Sequence, residues 1–294
     1  MARRLVDGLY AGSHASTHAG PGIEFHDYRT YCPGDDPAQI DWKLYGRTDR
    51  LFVRRHRWYT DFSAMVMLDC SASMDFAGVE QGRAENSPTA MTKLRYGSVL
   101  AAAIAFLTVK QADRVGMGMY SDDLVRHRTV GATWSHLHAI CRMLETAAPV
   151  AGTGDAASGL EHGRRLLGRS PRSRGIVVLI SDLLEDPTAL FSAMNRLRHN
   201  RFEVICFQIL TPDELDLNES ASRRLEMVDL ESTEHVSTDV DQIGPRYNEL
   251  ITEHLQSLQQ GCADRGVDYN LLRTDQSVIE ALQRYLSRRS AMRA

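Results

Sequence analysis

Side chains with hard oxygen donors cluster around the ends of apolar segments in this sequence. The clearest group contains five residues, namely Asp69, Ser71, Ser73, Thr153 and Asp182. Carboxylates and hydroxyls without a soft ligand are the donors that Mg²⁺ prefers, at ~2.1 Å in near-octahedral geometry with several waters retained. The residue types therefore predict a site for Mg²⁺, or for a similar divalent cation such as Mn²⁺ or Ca²⁺.

Two buried strands would have to position these side chains. Residues 64–68 and 176–180 are continuously apolar, which is typical of strands buried on both faces. Apolar residues at helical spacing separate such runs, and six strands are predicted in all: 64–68, 115–120, 124–129, 176–180, 203–210 and 268–273. This alternation predicts an α/β fold with a central, mostly parallel six-stranded sheet flanked by helices. Ligands of such sheets bind beyond the carboxyl ends of the strands, where these donors fall.

Length and composition exclude several classes of protein. The chain has 294 residues, 43% hydrophobic and 24% charged, so disorder, collagen and coiled coil are disfavoured. The net charge of −4 argues against a chain-wide grip on nucleic acid or anionic lipid. The longest apolar stretch, 99–107, is about half of the ~20 residues that a bilayer span requires, and residues 1–4 lead into no signal-peptide core. We therefore expect a cytoplasmic protein.

The five cysteines are odd in number, lie far apart and form no C-x-x-C pair. Neither a disulfide framework nor a zinc knuckle is indicated, so buried free thiols are expected.

Charged residues are unevenly distributed along the chain. A β-leaning segment over residues 1–62 precedes the predicted α/β domain over 63–294. Residues 43–57 contain six Lys or Arg against one Asp, whereas residues 211–242 contain ten acidic residues against two arginines. The basic stretch fits either a solvated face or a docking patch for an acidic partner. The acidic stretch is predicted as an insertion beside the sheet. It fits a solvated loop, a segment that pairs with the basic stretch of the same chain, or a surface that binds a partner protein.

The order Asp69-x-Ser71-x-Ser73, then Thr153, then Asp182, resembles the metal-ion-dependent adhesion site of von Willebrand factor A domains. The order of strands and helices from residue 64 onward resembles that Rossmann-like fold. A longer motif resembles the bacterial family numbered as domain of unknown function fifty-eight: Glu24-Phe25-x-x-Tyr28-Arg29-x-Tyr31-x-Pro33-Gly34-Asp35-Asp36, Ile40-Asp41-Trp42-Lys43 and Arg47-x-Asp49-Arg50. Together the two resemblances cover nearly the whole chain.

The resemblance implies roles for these residues. The two serines and the threonine would stand where metal ligands stand, and the two aspartates would bind the metal directly or through water. It also implies a MoxR-type AAA+ ATPase as partner. Two positions depart from the pattern: Ala38 stands where the family often has Arg, and Leu183 stands where many adhesion domains have Gly.

Three functions are compatible with these features. The leading one is a metal-dependent adaptor without enzymatic activity, whose cation captures an Asp or Glu of another protein. The rival is a metal-assisted phosphoesterase or phosphotransferase that uses Asp69. Against it, Ser71 holds the place of a second Asp, and the Walker A, H-E-x-x-H and G-x-S-x-G motifs are missing. The third is a scaffold with a vestigial site.

Overall fold

The computed structural model describes residues 24–32, 40–57, 63–78, 91–168, 175–217, 224–228 and 235–293. The chain divides into two compact units, one formed by residues 12–61 and the other by residues 62–294 together with 1–11. The assignment of residues 1–62 and 63–294 as separate domains stays a prediction.

The smaller unit contains two strands and a short helix: β1 Glu24–Thr30, α1 Trp42–Thr48 and β2 Phe52–Arg57. β1 and β2 pair antiparallel. The buried Asp41 begins α1, since its carboxylate accepts hydrogen bonds from the backbone N–H groups of Lys43 and Leu44 at 3.0 and 3.1 Å. Part of the basic stretch, residues 43–50, is described, but the side chains of 54–57 are not.

Strands of the larger unit follow in this order: β3 Ser63–Asp69, β4 Arg114–Tyr120, β5 Leu124–Gly131, β6 Gly175–Ser181, β7 Glu203–Leu210, β8 Arg224–Val228, β9 His235–Asp239 and β10 Asp268–Arg273. Six of them form one sheet in the order β10-β7-β6-β3-β4-β5, parallel except for β5. β8 and β9 pair separately, within the acidic stretch. The predicted mostly parallel, six-stranded α/β sheet is therefore confirmed.

Helices of this unit are α2 Lys93–Lys110, α3 Trp134–Glu145, α4 Ala156–Leu167, α5 Pro187–His199, α6 Pro212–Leu215, α7 Val240–Asp264 and α8 Val278–Arg293. They cover both faces of the sheet, because α2, α3 and α8 share one buried cluster while α4, α5 and α7 share another. The central strand β3 shows why: Val66 and Leu68 join the first cluster, and Met65 and Met67 join the second. An apolar run buried on both faces is what its sequence predicted.

The free cysteines only partly follow expectation. Cys70, Cys206 and Cys262 are buried and Cys141 is half-buried, but Cys32 is exposed, so the expectation of a buried thiol is wrong there. Cys32 lies two residues after the end of β1, a strand of the small two-stranded sheet, whereas the buried cysteines belong to the large core. Within the described ranges, no helix is long and apolar enough to cross a membrane.

Candidate metal-binding site

Asp69 is the last residue of β3 and is only 1% exposed. One carboxylate oxygen accepts a hydrogen bond from the backbone N–H of Ser71 at 2.8 Å, and the other accepts one from the Ser181 hydroxyl at 2.7 Å. Burial, and to a smaller extent the negative charge of Asp182, raises the pKa of Asp69 to about 6. The carboxylate is thus fixed in place, while its charge lacks full compensation.

The two serines lie at the turn after β3. A short 3₁₀ helix, Ala72–Asp75, follows Ser71, and it is anchored by the buried Met74. Ser71 makes no side-chain capping bond to this helix, so its hydroxyl is free of that role. Instead, the hydroxyl oxygens of Ser71 and Ser73 lie 3.1 Å apart. The two hydroxyls are therefore hydrogen-bonded to each other, and that of Ser71 also interacts with the Asp69 carboxylate, whose pKa it lowers.

The loop before α4 approaches Asp69 and Ser71 through its backbone. Gly154 has a φ of +75°, and a Cβ at this position would lie 2.9 Å from both Asp69 Oδ2 and Ser71 Oγ. Thr153 itself is turned elsewhere, because its N–H and its hydroxyl both donate to Asp122 Oδ1, at 2.8 and 3.1 Å. Asp122 lies in the turn between β4 and β5, where it offers a carboxylate to this loop. The structure therefore brings the backbone beside Thr153 to the site, with the Thr153 hydroxyl bound to Asp122.

Asp182 follows β6 and already has a cationic partner. Its Oδ2 accepts a hydrogen bond from Lys93 Nζ at 2.8 Å, and the same ammonium donates to Glu214 Oε1 at 2.5 Å. Lys93 is 1% exposed. Burial works to lower the pKa of Lys93, but the charges of Asp182 and Glu214 raise it above its ordinary value. Lys93 therefore stays charged.

Glu185 adds a further carboxyl group at this edge of the sheet. Its side chain accepts a hydrogen bond from the N–H of Ala156, the first residue of α4, at 2.8 Å. Burial raises the pKa of Glu185 to about 7, and the charges of Asp155, Asp69 and Asp182 act in the same direction. Burial is thus the larger cause of the raised pKa of both Asp69 and Glu185, and repulsion by neighbouring carboxylates adds to it.

The backbone at Leu183 keeps the conformation that favours glycine. Its φ is +50°, in the left-handed region, at the position where the resemblance places Gly in many adhesion domains. The N–H of Leu183 donates to Ser181 Oγ at 3.1 Å, and its carbonyl lies 2.7 Å from His254 Nε2. The departure from the pattern therefore changes the side chain but not the local backbone region.

Three residues of this site are not among the five predicted metal ligands: Ser181, Glu185 and Lys93. Ser181 and Glu185 flank Asp182 closely along the chain, so the end of the apolar run 176–180 could have pointed to them. Lys93 had no such signal, because its carboxylate partners lie 89 and 121 residues away.

The donor set agrees in type with a hard divalent cation. Asp69, Ser71 and Ser73 place a carboxylate and two hydroxyls in one turn, and no soft donor is among them. Within the part of the chain that the structure describes, no group of three or more His, Cys, Asp or Glu side chains is arranged to hold a metal ion. Any cation here would therefore depend on the hydroxyls and on water for most of its ligands.

Comparison with protein-family models identifies the family to which this chain belongs. The model of the family described as "Protein of unknown function DUF58" matches residues 27–257. The chain belongs to this family. Uncharacterized protein Rv1480 of Mycobacterium tuberculosis and uncharacterized protein Mb1516 of Mycobacterium bovis are each 29% identical to it over 218 residues, which is 73% of this chain. The match spans 63% of the length of each of these DUF58-like relatives.

Solved structures also resemble this DUF58 chain. The conserved hypothetical protein BatB of Bacteroides thetaiotaomicron has a TM-score of 0.49 at 13% identity, covering 78% of this chain and 99% of its own. A von Willebrand factor type A structure from Catenulispora acidiphila has a TM-score of 0.38 at 14% identity, covering 54% of this chain and 35% of its own. At such identities a likeness concerns the fold and not the chemistry of the site.

Proposed function

We propose that this DUF58 chain is a metal-dependent protein-binding adaptor. In this proposal a divalent cation, Mg²⁺ by preference, is held beside Asp69 at the carboxyl edge of the sheet and captures an Asp or Glu of a partner protein. The observation that carries the proposal is the surroundings of Asp69: a buried carboxylate lies beside the Ser71 hydroxyl, which is 3.1 Å from that of Ser73, and it is repelled by the charge of Asp182.

The roles of the donors follow from their positions. Asp69 would supply the one carboxylate, and Ser71 and Ser73 would supply hydroxyl oxygens. Thr153 would join them by turning its exposed hydroxyl away from Asp122, since the neighbouring Gly154 already lies against Asp69. With few carboxylates in the set, a bound Mg²⁺ would remain an electrophile with room for a carboxylate from outside.

Repulsion between neighbouring carboxylates supports a cation over an anion at this site. The carboxyl groups of Asp69 and Glu185 have raised pKa values partly because neighbouring carboxylates repel their charged forms. A cation beside Asp69 would relieve that repulsion. A phosphate or other anion would increase it, which weighs against phosphoester substrates unless a metal is bound first.

The resemblance supplies a candidate partner, a MoxR-type AAA+ ATPase. The test is the affinity of the purified ATPase for the wild type, Asp69→Asn and Asp75→Asn, all measured with Mg²⁺ present. Asp75 is an exposed carboxylate in the same 3₁₀ turn, so its variant is a matched control. The adaptor proposal expects at least tenfold weaker binding by Asp69→Asn and no change for Asp75→Asn. Equal binding by both variants would contradict it.

The enzyme alternative makes a different prediction. In it, Asp69 acts as a nucleophile or a metal ligand, and its two oxygens, which each accept one hydrogen bond, from Ser71 and Ser181, are as available to a substrate as to a cation. Turnover of phosphoester substrates by the wild type that Asp69→Asn abolishes would favour the enzyme over the adaptor.

A further inference from the structure

Lys93 occupies a position that is unfavourable for a lysine in three respects. It is the first residue of α2, where the helix dipole repels a cation, and it is 1% exposed, so its ammonium is removed from water. A flexible side chain is also held in one conformation. The ammonium is nevertheless bound on two sides, by Asp182 at 2.8 Å and Glu214 at 2.5 Å, and it lies 5.9 Å from the centroid of the Phe76 ring.

The three elements that meet at this ammonium have separate origins. Lys93 begins α2, Asp182 follows β6, and Glu214 lies in α6, where it also closes a capping box with Thr211. The hydroxyl of Tyr247 in α7 donates to the Glu214 carbonyl at 2.9 Å, which fixes the backbone of α6. The ion pair is thus a built arrangement that requires all three segments.

Asp182 and Asp69 belong to one electrostatic cluster. The charge of Asp182 disfavours the charge of Asp69, although the hydrogen bonds of the two carboxylates go to different partners, Lys93 and Ser181 respectively. A divalent cation beside Asp69 would therefore be attracted by Asp182 and repelled by Lys93. Both forces act in a buried region where charges are weakly screened.

We propose that Lys93 is the internal counter-cation of Asp182 and that it sets the affinity of the divalent-cation site, an inference that rests on the proposed function. Asp182 is then a positioning residue that holds Lys93, and the cation is bound by Asp69, Ser71 and Ser73. This arrangement lowers the affinity of the site for the cation, and the partner's carboxylate adds to that affinity as a further ligand.

Charge-changing variants predict shifts of opposite sign. Lys93→Met removes a positive charge and should tighten Mg²⁺ binding by about tenfold or more, while lowering stability in EDTA because two carboxylates lose their partner. Glu214→Gln removes a negative charge and should weaken Mg²⁺ binding severalfold. The double variant removes one charge of each sign, so its affinity should return towards that of the wild type.

The experiment is a calorimetric Mg²⁺ titration of the wild type and the three variants, with thermal unfolding in EDTA as the check on folding. Unchanged or weaker Mg²⁺ binding by a cooperatively folded Lys93→Met variant would overturn the inference while leaving the proposed function intact. If Lys93→Met does not fold, Glu214→Gln decides, and an affinity equal to that of the wild type overturns the inference.

The wild-type titration separates this inference from the proposed function. Binding by Lys93→Met but not by the wild type would support the counter-cation role and overturn the proposal that the natural chain is a metal-dependent adaptor. Absence of binding by the wild type and by all three variants would overturn both.

Discussion

Gly154 allows the most direct test of how the site is assembled, because the chain contains a matched control. Gly154 and Gly168 both have a positive φ, +75° and +73°, which an L side chain rarely adopts. A Cβ at Gly154 would lie 2.9 Å from Asp69 Oδ2 and 2.9 Å from Ser71 Oγ, whereas a Cβ at Gly168 would meet nothing within 4 Å. Replacing each glycine with alanine therefore separates backbone strain from intrusion into the site.

The magnitudes follow from these two contributions. The backbone of Gly168, with φ of +73° and ψ of 176°, lies in a region that is essentially restricted to glycine, so Gly168→Ala should lose about 1–3 kcal/mol from backbone strain alone. Gly154→Ala should lose about 1–3 kcal/mol more, because the buried Asp69 and Ser71 must move to admit the methyl group. At about 2–4 °C per kcal/mol for a domain of this size, the two variants should melt several degrees apart.

Thermal unfolding in EDTA measures the stability difference, and a Mg²⁺ titration of the same samples measures the site. Gly154→Ala should lose at least tenfold in Mg²⁺ affinity, whereas Gly168→Ala should bind like the wild type. Equal melting temperatures for the two variants, together with unchanged Mg²⁺ binding, would refute the placement of this loop against Asp69 and Ser71.

Three further variants test the packing of α7 and the effect of a half-buried carboxyl group. Leu258 is a fully buried residue of α7, so Leu258→Ala should lower the free energy of unfolding in urea by about 2–5 kcal/mol. Leu250 is 48% exposed on the same helix, so Leu250→Ala should lower it by under about 0.5 kcal/mol. Similar losses for the two variants would show that α7 does not pack by the face that carries Leu258. Burial raises the pKa of Asp113 to about 6. The folded state therefore retains a proton that the unfolded chain loses from about pH 4 upward, and the free energy of unfolding falls as the pH rises from about 4 to about 6. Asp113→Asn should therefore be more stable than the wild type by about 1 kcal/mol at pH 7.5, with the difference vanishing near pH 4; a difference independent of pH would contradict the assignment.

The sheet was predictable from the sequence because its strands carry the pattern that burial requires. Residues 64–68 and 176–180 are apolar at every position, and both strands are covered by helices on both faces. The helix α7 was not predicted. Its buried residues Leu258 and Cys262 are separated by polar positions, and Pro245 lies within it, so the acidic stretch and the proline obscured a helical pattern of 25 residues.

The candidate site was predictable only in part. Asp69, Ser71 and Ser73 lie within five residues of one another after a buried strand, so local spacing was sufficient to place them together. The partner of Asp182 was not predictable, because Lys93 belongs to a helix that lies 89 residues earlier in the sequence. Local pattern reveals which side chains share a turn, but not which distant charge neutralises them.

A calorimetric Mg²⁺ titration of the wild type and Asp69→Asn tests the central claim most directly. The variant keeps the shape of the side chain and removes a buried charge near Asp182, but it offers one accepting oxygen to Ser71 and Ser181 in place of two, so thermal unfolding in EDTA checks that it is folded. We expect saturable binding of one Mg²⁺ by the wild type and none by Asp69→Asn. The same heats from both proteins, or only heats of dilution from the wild type, would contradict a metal-dependent adaptor built on Asp69.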